Sequence, residues 1–199
     1  MHKILIATHN KNKYIEFKAF FAEQWLETTA AFEQGVSDVI EGDISFAENA
    51  RLKADHGLRL SGLPTLGEDS GLEIPALNNF PGVITKRFTD ECGGYQSAVS
   101  HYLDKLGVET CDARYVAELC LSLPDQQYIT TRATLEGSLI RTPRGEGIFG
   151  YDPWFVPKGF KKTCAELTVA QKQEISHRGK ALRQLMEQMQ KHDFFRAIP

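Results

Sequence analysis

Lys3 to Thr8 form a short apolar run, partly β-branched, which the polar cluster His9-Asn10-Lys11-Asn12 interrupts. From Lys13 the period changes. Tyr14, Phe17, Phe21 and Trp25 recur at steps of three and four, one aromatic stripe along an amphipathic helix. Ser45-Phe46-Ala47-Glu48 fits a capping box, so a second helix is predicted through Asn49, Lys53 and Ala54 to about Ser61-Gly62. Pro64 and Gly67 bracket a turn and a short strand ending near Asp69-Ser70-Gly71. A separate extended piece follows at Leu72-Glu73-Ile74, then a loop around Asn78-Asn79-Phe80-Pro81-Gly82.

Tyr95 to Leu106 reads as a helix stopped by Gly107, and two long β segments, Ala113 to Leu123 and Tyr128 to Ile140, flank a hairpin turn at Pro124-Asp125-Gln126-Gln127. Arg141 to Gly150 is a glycine-rich loop, after which Pro153 and Pro157 keep Trp154-Phe155-Val156 extended. Thr168-Val169-Ala170-Gln171 opens a last helical stretch reaching Lys191 and interrupted near Gly179. Internal repeats, low-complexity runs and flexible linkers are absent from the pattern. The mixture is α/β.

Composition narrows the class. With 199 residues, 42% hydrophobic and 25% charged, the chain is neither disordered, collagenous nor a coiled coil. A net charge of −3 gives no electrostatic reason for a nucleic acid or an anionic membrane as partner, though a local group of lysines can still hold a small polyanion. No apolar run approaches the roughly 20 residues of a membrane span, and the first residues are too short in their apolar part for a signal peptide. Cys92, Cys111, Cys120 and Cys164 are irregularly spaced, which argues for reduced thiols in a cytoplasmic protein rather than a zinc site or disulfide framework.

The polar clusters carry the chemistry. Gly145-Glu146-Gly147-Ile148-Phe149-Gly150 matches the dinucleotide fingerprint, but Tyr151-Asp152-Pro153 follows where a helix is required, so that reading is discarded. Thr8 to Lys13 sets hydroxyl, amide and ammonium donors around a helix start, suited to a polyphosphate or simply to a solvated turn. Glu41, Glu48, Glu68 and Asp69 supply carboxylates near Ser70-Gly71, the oxygen ligands that Mg²⁺ prefers; Glu48 is already explained by the capping box. Ser176-His177-Arg178, with Lys172 about one helical turn upstream, gathers donors able to read an acceptor-rich base edge or a phosphate. His2, His56, His101 and His192 show no partner spacing.

Taken together these segments resemble the non-canonical purine nucleoside triphosphate pyrophosphatases, also called inosine or xanthosine triphosphate pyrophosphatases. The matching pieces are Thr8 to Lys13 with Glu16, Ser45-Phe46 with Glu48-Asn49-Ala50 and Lys53-Ala54, and Asp69-Ser70-Gly71-Leu72. They continue with Pro81-Gly82-Val83, Arg87, Gly147 with Phe149 to Pro153, Ala165-Glu166-Leu167 and Ser176 to Gly179, in the family's order and across nearly the whole chain. The resemblance implies a single two-lobed α/β domain over residues 1–199, with an elongated mixed sheet flanked by helices and the active site in the cleft between lobes. It implies hydrolysis of ITP, dITP and XTP to the monophosphate and pyrophosphate with Mg²⁺, by a homodimer. On the same resemblance Thr8, His9, Asn10, Lys11, Asn12 and Lys13 would line the triphosphate, with Lys53 assisting. Glu41 and Asp69 would take the metal, Asp69 would also be the base for the attacking water, and Ser70 would touch substrate. Phe149, Gly150, Tyr151, Asp152, Lys172, His177 and Arg178 would form the base pocket.

Five positions depart from the family pattern. His9 replaces a usual Gly, Glu68 a usual Asp, Thr85-Lys86 a usual Ser-Ala, and Gln173 a usual Asn. Two other functions fit the same resemblance: a related pyrophosphatase of different base preference, or a nucleotide-binding sensor that has lost catalysis. The presence of Lys13, Glu41, Lys53 and Asp69 argues against the sensor, since a binder needs no metal ligands and base together.

Overall fold

The computed structural model describes residues 3–24, 26–146 and 149–191. Trp25, His2, His192 and Gly147, singled out above, lie outside the described residues. Within these residues the chain forms two compact units. One takes the chain up to Asp69, Ala117–Arg132 and the chain from Ala181; the other takes Ser70–Val116 and Ala133–Lys180. The strands follow the order β2-β1-β3-β5-β6-β7, with β4 paired to β3. They are β1 (Lys3–Ile6), β2 (Glu27–Ala30), β3 (Thr65–Ile74), β4 (Phe80–Gly82), β5 (Thr110–Ser122), β6 (Tyr128–Ile140) and β7 (Phe155–Pro157). The sheet is mixed: β1 runs parallel to β2 and β3, whereas β4 on β3 and β7 on β6 are antiparallel.

In the first unit, α1 (Lys11–Ala22) buries Tyr14, Phe17, Phe20 and Phe21. Three belong to the predicted stripe; Phe20 widens it. The helix starts two residues earlier than the period suggested, because the Asn10 side chain accepts hydrogen bonds from the Asn12 and Lys13 amides and caps it. Helix α2 (Phe46–Ser61) begins and ends as its signals require. The Ser45 hydroxyl accepts from the Glu48 amide at 3.1 Å, and Gly62 closes the helix at a φ of 71°.

The two extended pieces expected around Asp69-Ser70-Gly71 are one ten-residue strand, β3. Gly67 and Gly71 mislead a local reading, but Gly67 is in the strand because α2 lies against it. A Cβ there would sit 2.0 Å from the Ala50 carbonyl oxygen and 2.7 Å from the Ala54 nitrogen.

The second unit packs Leu72, Ile74, Val99, Tyr102, Leu103, Tyr115, Leu139 and Phe155 into one core. Helix α4 (Tyr95–Leu106) and the long strand β6 occupy the residues the pattern gave them. Strand β4, within the expected loop, and helix α3 (Thr85–Glu91) have no periodic signal of their own. Tertiary pairing makes them: the Thr85 hydroxyl accepts from the Leu72 amide at 2.9 Å and donates to the Gly82 carbonyl. This is the work of a hydroxyl, so the departure from Ser to Thr at this position loses nothing. The last helical stretch breaks at Ser176, three residues before the predicted interruption, giving α5 (Val169–Ile175) and α6 (His177–Lys191). Gly179 lies inside α6, where a Cβ would fall 2.0 Å from the Gln173 carbonyl oxygen. It permits the tight corner instead of making it.

Candidate active site

The first unit gathers its polar groups where α1 and α2 face β3. Alternation along β3 sends Gly67 and Asp69 toward α2 and Glu68 to the opposite side. On α2, Asn49 and Lys53 stand one turn apart and both reach Asp69. Lys53 Nζ lies 2.8 Å from Glu41 Oε2 and 3.3 Å from Asp69 Oδ1, and it donates to the Glu68 carbonyl oxygen at 3.1 Å. Asn49 Nδ2 donates to Asp69 Oδ2 and to the Gly42 carbonyl, both at 3.0 Å, while its Oδ1 accepts from the Gly42 amide at 2.9 Å. Asn49 therefore fastens the segment carrying Glu41 to the strand carrying Asp69. On the other side of β3, Lys13 Nζ pairs with buried Glu68 at 2.8 Å.

Burial pushes the Asp69 carboxyl up to about 6, against the opposing pull of the Lys53 ammonium and the Asn49 hydrogen bond. Burial also works against the Lys53 ammonium, but Asp69 and Glu41 outweigh it and hold that amine above its ordinary value. Lys53 is thus a fixed cation, and Asp69 a carboxylate poised to take a proton near neutrality.

Glu41 and Asp69 meet the same ammonium, and each offers hard oxygen atoms. Mg²⁺ commonly takes one or two carboxylates and completes its shell with water and substrate phosphates. The donor set fits a cation shared with a phosphate chain. Among the described residues, no group of three or more His, Cys, Asp or Glu side chains is arranged to hold a metal alone.

At the start of α1, Asn10 spends its side-chain oxygen on the helix end, and its own amide donates to the Thr8 hydroxyl at 3.1 Å. Asn10 and Thr8 thus shape the loop. His9, Lys11 and Asn12 stand exposed beside them. His56, which spacing left without a partner, has two: Arg59 donates to its Nδ1 and its Nε2 faces the Ser37 hydroxyl, each at 3.0 Å. Lys86 is exposed and pairs with Asp90 one turn along α3.

The second unit holds the other predicted set. Gly150, at a φ of 62°, turns the chain between Phe149 and Tyr151. Tyr151 is buried, and its hydroxyl meets Thr89 at 2.5 Å and Tyr102 at 3.1 Å, so its polar end faces the core. Asp152 is buried and accepts from Lys172, whose Nζ also lies 4.8 Å from the centre of the Phe149 ring. Ser176 caps α6 by accepting from the Gly179 amide at 2.9 Å, which presents His177 and buried Arg178 in the first turn. The His177 ring stacks on Tyr115 with centroids 5.0 Å apart. Ser70 follows Asp69 in β3 and is half-buried. Sequence reasoning gave Asn49 and Tyr115 no role at the site. Asn49 sits four residues before Lys53, a spacing that was available; Tyr115 lies in an apolar strand and offers no such signal.

Carboxylates and fixed ammonium groups beside a helix start, on a mixed α/β sheet, are the equipment that chemistry at a phosphate anhydride calls for. The family model described as the Ham1 family matches residues 4–188, and the chain belongs to that family. The chain is 38% identical over 182 residues to a dITP/XTP pyrophosphatase of Gluconobacter oxydans (strain 621H), covering 90% of this chain and 87% of that one. It is 38% identical over 192 residues to a dITP/XTP pyrophosphatase of Geobacillus kaustophilus (strain HTA426), covering 94% of each. Among solved structures, a HAM1 protein from Coxiella burnetii matches with a TM-score of 0.86 at 32% identity, over 96% of this chain and 100% of that one. The Ham1 protein of Staphylococcus aureus matches with a TM-score of 0.83, also at 32% identity, over 96% and 99%.

Proposed function

We propose that the protein hydrolyses non-canonical purine nucleoside triphosphates (ITP, dITP and XTP) to the monophosphate and pyrophosphate, with Mg²⁺, as a cytoplasmic homodimer that clears such nucleotides from the precursor pool. The observation that carries this reading is Lys53 Nζ held between Glu41 and Asp69. The dITP/XTP pyrophosphatases among its relatives support the same reaction.

In this reading Asp69 accepts the proton of the attacking water. The water oxygen bonds to the α-phosphorus as the bond to the bridging oxygen breaks, and pyrophosphate departs with that electron pair. Lys13 and Lys53 neutralise phosphate oxygens, and Thr8 to Asn12 shape the loop that receives them. Glu41 and Asp69 would hold Mg²⁺, which would supply further charge neutralisation. Lys172, His177 and Arg178 present donors to the base, with Phe149 beside Lys172 and Asp152 holding Lys172 in place.

Hypoxanthine and xanthine carry a 6-keto acceptor where adenine carries a 6-amino donor. Donors set against a donor leave buried groups unpaired, a mismatch worth about 10⁴-fold in favourable cases. The test is hydrolysis of a panel of ITP, dITP, XTP, GTP, ATP and pyrimidine triphosphates with Mg²⁺. Pyrophosphate released mainly from ITP, dITP and XTP is the expected result; orthophosphate release, or equal turnover of ATP, overturns the proposal. Light scattering on the same sample tests the dimer, which should have about twice the 22.4 kDa chain mass.

A further inference from the structure

Tyr115 sits within β5 with 8% of its surface exposed, its ring sandwiched between Phe155 at 4.3 Å and His177 at 5.0 Å. The two interplanar angles, 29° and 24°, make a three-ring stack. Its hydroxyl is buried and has no hydrogen-bond partner among the described residues. Other buried tyrosines of the chain are satisfied. Tyr14 donates to the Thr28 carbonyl, and Tyr102 and Tyr151 bond to one another. A buried polar group left unpaired shifts the folding equilibrium by about 5- to 150-fold toward the unfolded chain. The stack alone does not require it, since phenylalanine would fill the same place.

The surroundings of this hydroxyl point to its use. Burial, with the Asp152 carboxylate as the strongest nearby charge, pushes the phenol well above its ordinary value, so it keeps its proton and remains a donor. Its neighbours His177 and Asp152 belong to the set assigned to the base. We infer that Tyr115 is a specificity-determining residue of the base site, whose hydroxyl stays unpaired until a purine binds and then donates to an acceptor on the base, directly or through one ordered water. The inference rests on the functional reading above. It adds a donor in the middle of a strand to the donors of α5 and α6.

The test is Tyr115→Phe, which keeps the ring stack and removes only the hydroxyl. The melting temperature of the unliganded variant should rise by about 2–4 °C, as an unpaired buried group disappears. Its KM for ITP should rise about tenfold, with kcat changing less than KM. Inhibition by inorganic tripolyphosphate, which carries no base, should have the same constant in variant and wild type. A lower melting temperature with unaltered KM would assign the hydroxyl to a structural water and overturn the inference. Equal weakening toward ITP and tripolyphosphate would overturn it too, because the effect would not come through the base. Wild-type protein that turns over none of the purine triphosphates brings down the functional reading and this inference together, whereas normal wild-type turnover with an unaltered variant brings down this inference alone.

Discussion

Asp69 accepts hydrogen bonds from Asn49 and Lys53, and burial, outweighing them, lifts its carboxyl to about 6. Protonated, it cannot accept a proton from water, so turnover should fall as the pH drops, and with Mg²⁺ bound the fall should lie below 6. Carbon-13 spectra of the metal-free protein should show one Asp carboxyl titrating near 6, and added Mg²⁺ should move that transition to lower pH by favouring the charged form. The same shift fixes a sign for stability. A carboxyl raised above its unfolded value of 3.8 contributes most at acid pH and loses that contribution as the pH rises through about 6. Urea melts of wild type against Asp69→Asn should therefore shift in favour of the variant between about pH 4 and about pH 7. Asn49→Ala leaves the Gly42 amide and one Asp69 oxygen unpaired and should cost about 1–3 kcal/mol in the same melts, with a loss of kcat as Glu41 and Asp69 loosen. The residues most plainly visible in the sequence, Lys53 and Asp69, meet in the structure. Asn10 spends its side-chain oxygen on the helix end and Tyr151 its hydroxyl on the core, partners that a side chain's type does not reveal.

Elements hold these residues in register through a few positions. Gly67 lets α2 approach β3 closely enough for Lys53 and Asn49 to reach Asp69. Gly67→Ala drives a Cβ into the Ala50 carbonyl and should destabilise the protein by about 3 kcal/mol, a loss readable by thermal melting. Ser45→Ala removes only a cap and should cost about 1 kcal/mol. Elements with local signals, α2 with its capping box and α4 with its terminal glycine, follow from sequence because caps and period act over a few residues. Strand β3 looks divided from sequence because glycine marks a turn by default, whereas Gly67 answers to a helix packed against it. Strand β4 and helix α3 likewise depend on distant partners. The corner at Ser176 was placed three residues late for a related reason, since serine as a cap outweighs glycine as a breaker once its hydroxyl bonds the Gly179 amide.

For the whole molecule, order along the chain is the strongest sequence signal: short motifs, each common alone, occur in one family's order. Matches over residues 4–188 and to solved Ham1 structures agree with it. The departures at His9 and Lys86 now have addresses, one exposed at the start of α1 and one paired with Asp90 on α3. In the proposed reaction water attacks the α-phosphorus of a 6-keto purine triphosphate. Hydrolysis of ITP in ¹⁸O-labelled water, with the products weighed by mass spectrometry, tests it most directly. One labelled oxygen is expected in the monophosphate and none in pyrophosphate; label in pyrophosphate or in orthophosphate would rule out attack at the α-phosphorus.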